Sequence, residues 1–223
     1  MKKITLTLGL LAAALPVFAQ TGELVEIGGA LVCSVADSTD WDDRTAFINV
    51  MLWTIDYAGT EKDNLVSCDW KDFKESSVFR LSSPTGRRAY SFDMSVKVEE
   101  GEIQVMVQNI KEYPLASVKI GVALEKFYPA NKPAKREILE EAQSLIGDTI
   151  DSLVAFVRGN KPDIEDGWSN ICSLHVVRGM TQDACKLVHG KPEDIQVNGK
   201  KAMWLYPDGH YLLFENGHLK SIM

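Results

Sequence analysis

The clearest pattern in this 223-residue chain is the alternation of apolar and polar residues over 90–98, YSFDMSVKV. A turn, Glu99-Glu100-Gly101, follows it, and the returning segment 102–110, EIQVMVQNI, alternates again. Two alternating segments joined by a short turn predict an antiparallel hairpin with one buried and one wet face. The residues predicted to face the core are Tyr90, Phe92, Met94, Val96, Val98, Ile103, Val105 and Val107.

The segment 132–162, KPAKREILEEAQSLIGDTIDSLVAFVRGNKP, predicts a long helix of about six turns that covers this sheet. Its apolar residues recur at helical spacing, and Gly159 and Pro162 supply the stop signals. Sheet and helix together predict an α+β domain over residues 22–160. The apolar positions are Ile138, Leu139, Ala142, Leu145, Ile146, Ile150, Leu153, Val154 and Val157.

Shorter signals complete this domain. Residues 23–35 predict one or two strands broken at Gly28-Gly29, and the segments 64–70 and 77–82 predict two more strands. The acidic run 40–43 favours the start of a helix over a cation site. We expect Asp40 to be its N-cap and Gly59 its end, with Phe47, Val50, Met51 and Thr54 on one face.

A linker rich in Pro, Gly and Asp, residues 161–170, precedes a smaller domain over 171–223. Thr181 is a candidate N-cap for a short helix that Gly190 and Pro192 end. Four short strands follow. Asn198-Gly199 and Asn216-Gly217 are type I′ hairpin signals, and Pro207-Asp208-Gly209 is another turn. This order predicts a helix packed on a β-meander.

The first 19 residues have the composition of a secretion signal. Lys2 and Lys3 precede an apolar run, and small residues before Gln20 predict cleavage after Ala19. The residue directly after Ala19 is Gln20 and not a cysteine, so we expect a periplasmic or secreted protein without a lipid anchor or an integral membrane segment. Loss of the two lysines changes the formal charge from −7 to −9. This acidity argues against nucleic acid as a partner.

Four cysteines, Cys33, Cys68, Cys172 and Cys185, form an even set in an oxidising compartment. The pairing 33–68 with 172–185 is one of three connectivities, and buried free thiols are the alternative. Cys172, His175, Cys185 and His189 have a spacing that a zinc site tolerates, but core packing or a disulfide is the simpler interpretation. We predict no cofactor.

The smaller domain resembles the SmpA/OmlA family, which includes the outer-membrane assembly lipoprotein BamE. The resemblance rests on 178–192, RGMTQDACKLVHGKP, and on 202–222, AMWLYPDGHYLLFENGHLKSI. It implies a small αβ layer similar to the β-lactamase-inhibitor protein, used to bind proteins. The matching positions are Gly179, Met180, Thr181, Gly190, Pro192, Trp204, Tyr206, Phe214 and Gly217. Cys185 and His189 depart from it, because the family usually has aliphatic residues there.

The domain over 22–160 resembles secreted bacterial domains of unknown function with a TATA-binding-protein-like fold. This likeness rests mainly on the hairpin YSFDMSVKVEEGEIQVMVQNI, residues 90–110. It implies a fold and no activity.

No nucleophile elbow, Ser-x-x-Lys or His-Glu-x-x-His motif occurs in the chain, and His210 and His218 lie in or beside turns. We therefore expect no enzyme, but a binding or scaffold protein that contacts an unidentified cell-envelope or secreted protein. A small hydrolase with a Cys/His or acidic site, and an inhibitor of a secreted enzyme, are the alternatives. The candidate partner-binding residues are Met203, Leu205, Tyr211 and Leu213. Burial of these four against the first domain is the alternative.

Overall fold

A computed structural model of the protein describes residues 22–58, 77–114, 120–164 and 167–223. The predicted signal peptide (1–19), the strand expected at 64–70, the helix end at Gly59 and Cys68 lie outside the described residues. No described helix is both long and apolar enough to cross a membrane.

The chain divides into two compact units, each assembled from several stretches. The described part of the first unit comprises 22–38, 79–94, 104–114 and 120–151. That of the second comprises 39–58, 77–78, 95–103, 152–164 and 167–223. The boundary expected at 161–170 stays a prediction.

The described elements form two β-sheets and four α-helices, together with one short 3-10 helix. In chain order they are β1 (Leu24–Ile27), β2 (Ala30–Ser38), α1 (Asp43–Ala58), β3 (Ser77–Ser82), β4 (Ala89–Glu99), β5 (Glu102–Tyr113), β6 (Val122–Ala123), a 3-10 helix (Leu124–Phe127), α2 (Pro133–Gly159), α3 (Trp168–Cys172), α4 (Gln182–His189), β7 (Asp194–Asn198), β8 (Lys201–Leu205), β9 (Tyr211–Glu215) and β10 (His218–Ile222). The larger sheet has the order β1-β2-β5-β4-β3, and β6 pairs with β5. The smaller sheet has the order β10-β9-β8-β7. The predicted α+β class is confirmed.

The alternation in β4 and β5 is confirmed, because all eight predicted inward-facing residues of the hairpin are buried. One detail was missed. The burial pattern shifts by one residue between Val107 and Ile110, where Asn109 has a φ of +54°. Asparagine tolerates this left-handed conformation better than most residues do, and a one-residue shift of phase is what a β-bulge produces. Because of this shift, the side chain of Glu112 lies on the buried face of β5.

Glu112 joins a polar cluster in the first unit. Arg88 Nη1 donates to Glu137 Oε1 at 2.9 Å and to Glu141 Oε2 at 3.1 Å, and its Nε lies 3.8 Å from Glu112 Oε1. The Tyr90 hydroxyl donates to the same oxygen of Glu141 at 2.8 Å. Because Glu137 and Glu141 belong to α2 and Tyr90 and Arg88 to β4 or the residue before it, the cluster fastens helix to sheet.

Hydrogen bonding distinguishes the carboxyl groups of Glu112 and Glu141. Desolvation raises the pKa of Glu112, and the charge of Arg88 opposes that rise only in part. Desolvation also acts on Glu141, but hydrogen bonds from Tyr90, Arg88 and Ser83 together lower its pKa. Glu141, which accepts these hydrogen bonds, is therefore stabilised as a carboxylate, whereas Glu112 is not.

The expectation of a single buried face on α1 was wrong. Every residue from Ala46 to Ile55 is buried, including Asn49. The Asn49 amide donates to the carbonyl oxygens of Val157 (3.1 Å) and Asn160 (2.8 Å) and accepts from Asn160 Nδ2 at 2.8 Å. These partners lie more than 100 residues away in the chain, so the local period of α1 did not reveal them.

The N-cap of α1 is Asp42 and not Asp40. Asp42 Oδ1 accepts from the Thr45 backbone amide at 3.0 Å, and that hydrogen bond, which outweighs desolvation, lowers the Asp42 pKa. Asp43 accepts from the backbone amides of Glu100 (3.2 Å) and Gly101 (3.0 Å), in the β4–β5 turn. The acidic run thus fixes a helix start and a turn, as the preference for helix-start chemistry predicted.

The long helix α2 was correctly predicted, and it ends at Gly159. Of its predicted core residues, Ile138, Leu139 and Leu145 are half-buried and the other six are buried. The two strands around Gly28-Gly29 and the strand at 77–82 are also confirmed.

The pairing of Cys33 with Cys68 and of Cys172 with Cys185 was wrong. Cys33 and Cys185 are free, buried thiols. Cys172 is disulfide-bonded. The alternative of buried free thiols therefore holds for Cys33 and Cys185.

Candidate interaction surface

The helix α4 and the smaller sheet form a module whose covered face is a closed apolar core. Thr181 caps α4 by accepting from the Ala184 amide at 3.3 Å, and Gly190 ends the helix with a φ of +79°. The buried side chains of α4 are Ala184, Cys185, Leu187 and Val188, and those of the sheet are Ala202, Trp204, Leu212, Phe214 and Leu219.

The opposite face of this sheet, the open face, carries the four predicted partner-binding residues. In the antiparallel register Met203 lies opposite Leu213, and Leu205 lies opposite Tyr211. Side chains that are opposite each other in an antiparallel pair point to the same face. The structure therefore brings all four together, and each is half-buried.

A surface depression of about 480 Å³ extends the open face toward the β7–β8 turn. Met203 and Leu213 line it, together with Gln196 of β7, which lies opposite Met203 in the register. Its other lining residues are Val197, Asn198, Lys201, Ala202, Phe214, Glu215 and Lys220. An apolar floor with a rim of charged groups results.

Sequence reasoning missed the polar rim. Lys201 lies two residues before Met203 on β8, and Glu215 lies two residues after Leu213 on β9. Residues two apart on a strand point to the same face, so this spacing could have placed both charged residues on the open face. Lys220 Nζ lies 3.6 Å from Glu215 Oε2. Both groups are exposed, and a pair of this kind contributes little to stability because water screens it. These charges therefore remain available to a partner.

Two turns set the register of β9 with β10 and of β7 with β8. Asn216 and Gly217 have φ values of +54° and +82°, and a type I′ turn requires a positive φ at both positions. The other predicted turn is displaced by one residue. Asn198 belongs to β7, the loop is Gly199-Lys200, and only Gly199 has a positive φ (+60°). This pattern fits type II′, whose first central residue is glycine.

A second cluster lies at the other end of the module. The His210 ring stacks on Tyr206 at 4.8 Å between centroids and lies 4.7 Å from the His189 ring. His210 Nδ1 also contacts Asp208 Oδ1, while its buried Nε2 makes no hydrogen bond. His218, in contrast, is exposed. His210 is half-buried, because the turn folds its ring over Tyr206.

The hydrogen-bonding of Asp208 is set by His210. Desolvation raises its pKa, but hydrogen bonds from the His210 backbone and ring together lower it. The nearby Tyr206 hydroxyl donates to the Gly190 carbonyl oxygen at 3.4 Å, and burial raises its pKa. These contacts tie the β8–β9 connection to the end of α4.

The four residues considered for zinc, Cys172, His175, Cys185 and His189, do not form a set of metal ligands. Cys172 is disulfide-bonded and has no thiolate to offer, His175 is exposed and Cys185 is fully buried. Burial raises the pKa of the Cys185 thiol to about 12, so the thiol is protonated at neutral pH. Among the described residues no group of three or more His, Cys, Asp or Glu side chains could hold a metal ion.

Comparisons with known proteins give likeness in shape alone. No protein-family model and no curated protein matches the chain. A TBP-like protein from Parabacteroides distasonis has a TM-score of 0.48 and 13% identity, covering 62% of this chain and 99% of its own. A DUF4468 family protein from Bacteroides ovatus has a TM-score of 0.46 and 14% identity, covering 66% and 96%. The fold described above rests on the strands and helices themselves.

Proposed function

We propose that the chain is a binding protein whose smaller sheet docks another protein of the cell envelope through its open face. The observation that carries the proposal is the pairing of Met203 with Leu213 and of Leu205 with Tyr211 on the face that α4 does not cover. Apolar and aromatic side chains next to a charged rim have the composition of a protein-binding hot spot.

The depression beside these residues suits an apolar side chain of the partner. Met203 and Leu213 line it, and Lys201, Lys220 and Glu215 stand at its rim. Methionine adapts its shape to different neighbours at low cost, which favours contact with an apolar group. The partner would then present an apolar side chain flanked by a carboxylate that a rim lysine can meet.

The arrangement of the module supports a BamE-like fold. Thr181 begins the helix and Gly190 ends it, as in the family's pattern, and Trp204, Tyr206 and Phe214, which occupy the family's aromatic positions, are buried. The hairpin β4–β5 and the helix α2 likewise support a TBP-like fold for the part of the chain that contains the larger sheet. Neither proposal extends to outer-membrane assembly or to DNA.

An extracytoplasmic location fits the chemistry of Cys172. Disulfides form and persist in the periplasm and outside the cell, and Cys172 is disulfide-bonded. The predicted signal peptide leads to the same proposal. We favour binding over Cys/His catalysis because the thiol of Cys185 is buried and protonated at neutral pH.

Chemical crosslinking in the cells that naturally express the chain tests this function. A tagged wild-type chain is compared with the double variant Met203→Asp/Leu213→Asp after crosslinking and purification. The proposal expects one protein to be captured by wild type and lost in the double variant. The matched control is Val177→Asp, because Val177 is apolar and 41% exposed but lies outside the sheet. Equal capture by wild type and the double variant would contradict the proposal.

A further inference from the structure

The strand β7 is an unprotected edge of the smaller sheet. All five of its residues are exposed, with Ile195 47% and Val197 70% exposed. No described strand pairs with its outer side. The opposite edge of the sheet, strand β10, is not left open in this way. There Gly179 donates to the Leu219 carbonyl at 2.8 Å, and Leu219 donates to the Met180 carbonyl at 2.7 Å, which partly covers β10.

Edge strands with exposed apolar residues form pairs readily, so folded proteins usually block them. Lysine, proline or a bulge are common devices, and β7 has none of them between Asp194 and Asn198. Its register with β8 is regular over all five residues. The strand is therefore straight enough to accept another strand alongside it.

The hydrogen-bonding side of β7 follows from its turn. Asn198 and Lys201 flank a two-residue loop, so their peptide groups point at each other. The backbone N–H and C=O groups of successive residues point alternately to the two sides of a strand. Those of Ile195 and Val197 therefore point away from β8, toward the open edge. The two free donors and two free acceptors thus belong to the two exposed apolar residues.

We propose that β7 pairs with β7 of a second copy of the chain, antiparallel and centred on Gln196. The sequence of the strand, Asp194-Ile-Gln-Val-Asn198, is self-complementary in this register. Ile195 lies opposite Val197 of the second copy, Asp194 lies opposite Asn198, and Gln196 meets itself. Every pair is apolar with apolar or polar with polar, and no like charges are opposed.

The register also matches the outward peptide groups. Ile195 and Val197 of the two copies become hydrogen-bonded pairs, and the two Gln196 residues form a non-hydrogen-bonded pair on the two-fold axis. The two four-stranded sheets then become one eight-stranded sheet. Five paired residues bury less than a standard interface, so the dimer is weak and depends on concentration. Met203, Leu205, Tyr211 and Leu213 lie on β8 and β9, so pairing along β7 leaves them free and does not rest on the proposed function.

The oligomeric state of the purified full chain tests the pairing. Sedimentation or light scattering at rising concentration is expected to show a mass that approaches twice that of the monomer. Val197→Lys should keep the protein monomeric, because it places a charge opposite Ile195 of the other copy. The matched control is Ile222→Lys. Ile222 is 49% exposed on β10, at the opposite edge of the sheet, so its variant should still dimerise.

A cysteine variant tests the register. In Gln196→Cys the two Cα atoms lie about 4.5 Å apart across a non-hydrogen-bonded pair, within the range that a disulfide spans. Mild oxidation should give a covalent dimer. Asn198→Cys is the control, since the two copies of this position lie about 13 Å apart along the strands. Cys33 and Cys185 are buried, so wild type should not crosslink.

The proposal is overturned if wild type stays monomeric at the highest soluble concentration and Gln196→Cys gives no covalent dimer. It is equally overturned if Val197→Lys and Ile222→Lys dimerise as wild type does, because the contact then lies elsewhere. Covalent dimers from Asn198→Cys but not from Gln196→Cys would contradict the proposed centre of symmetry.

Discussion

Met203 and Leu213 lie directly opposite each other on β8 and β9, on the face of the smaller sheet that turns away from α4. The next residue toward the strand start, Leu212, points to the covered face and is fully buried. Neighbouring leucines on one strand therefore have different roles, and a matched pair of substitutions can separate them.

Leu213→Ala is expected to change the free energy of unfolding by less than about 1 kcal/mol, because the side chain is only half-buried. Leu212→Ala should cost about 2–5 kcal/mol, because it leaves a cavity in the core. Urea denaturation of both variants measures the difference. Equal losses of stability would show that Leu213 is also a core residue.

Thr181→Ala removes the cap of α4. The Thr181 hydroxyl accepts from the Ala184 amide and also donates to the Asp163 carbonyl. We expect a loss of about 0.5–2 kcal/mol in the free energy of unfolding. Thr181→Ser keeps both hydrogen bonds and should stay close to wild type. If serine loses as much as alanine, packing of the threonine methyl group is the cause and not the cap.

Glu112 and Glu141 are expected to affect stability with opposite signs. Desolvation raises the pKa of Glu112, so the folded protein holds that proton more tightly than the unfolded chain. Wild type then loses stability relative to Glu112→Gln as the pH rises through the usual titration range of glutamate. The Glu112→Gln variant should be more stable than wild type at pH 7. The difference should vanish at a pH low enough for Glu112 to be protonated in both the folded and the unfolded chain.

Glu141→Gln should behave in the opposite way. Although desolvation opposes it, hydrogen bonding lowers the pKa of Glu141, so the carboxylate stabilises the folded state above its unfolded pKa. The variant should be less stable than wild type at pH 7. This deficit should shrink as the pH falls through the folded-state pKa. Thermal unfolding at several pH values measures both profiles, and a pH-independent difference in either variant would refute its assignment.

Cys33 and Cys185 should resist thiol reagents in the folded protein. Burial raises their pKa values to about 11 and about 12, and both side chains are inaccessible. At pH 8 we expect modification of these thiols only after unfolding. Cys185→Ala should lower stability by about 1–2 kcal/mol and leave the metal content unchanged. Rapid modification of native Cys185, or loss of bound metal in the variant, would favour a chemical role.

The sequence predicted those parts of the fold that depend on local periodicity. The β4–β5 alternation, the presence of α2 with its end at Gly159 and the order of the smaller module all follow from neighbours within a few residues. The surroundings of α1 do not. Asn49 and its partners Val157 and Asn160 meet only in the folded chain, so the period of α1 suggested one covered face where the structure has burial on every side.

The candidate site was predicted in part for the same reason. Strand parity placed Met203, Leu205, Tyr211 and Leu213 on a common face, and the β8–β9 connection, residues 206–210, sets the register that makes them neighbours. The contribution of Gln196 depends on pairing between β7 and β8, and that of Lys220 on an irregularity in β10 between Leu219 and Ser221. The stacking of His210 on Tyr206 depends on the path of a turn, which residue type alone does not define.

Photo-crosslinking from the open face tests the central claim most directly. A benzophenone amino acid replaces Leu213 in one chain and Ile222 in another, and both are irradiated in the cells that naturally express the protein. Ile222 lies opposite Leu212 in the register and is exposed on the other side of the sheet. We expect a specific crosslinked partner from position 213 and none from position 222. The same partner from both positions, or a partner from position 222 alone, would contradict docking through the open face.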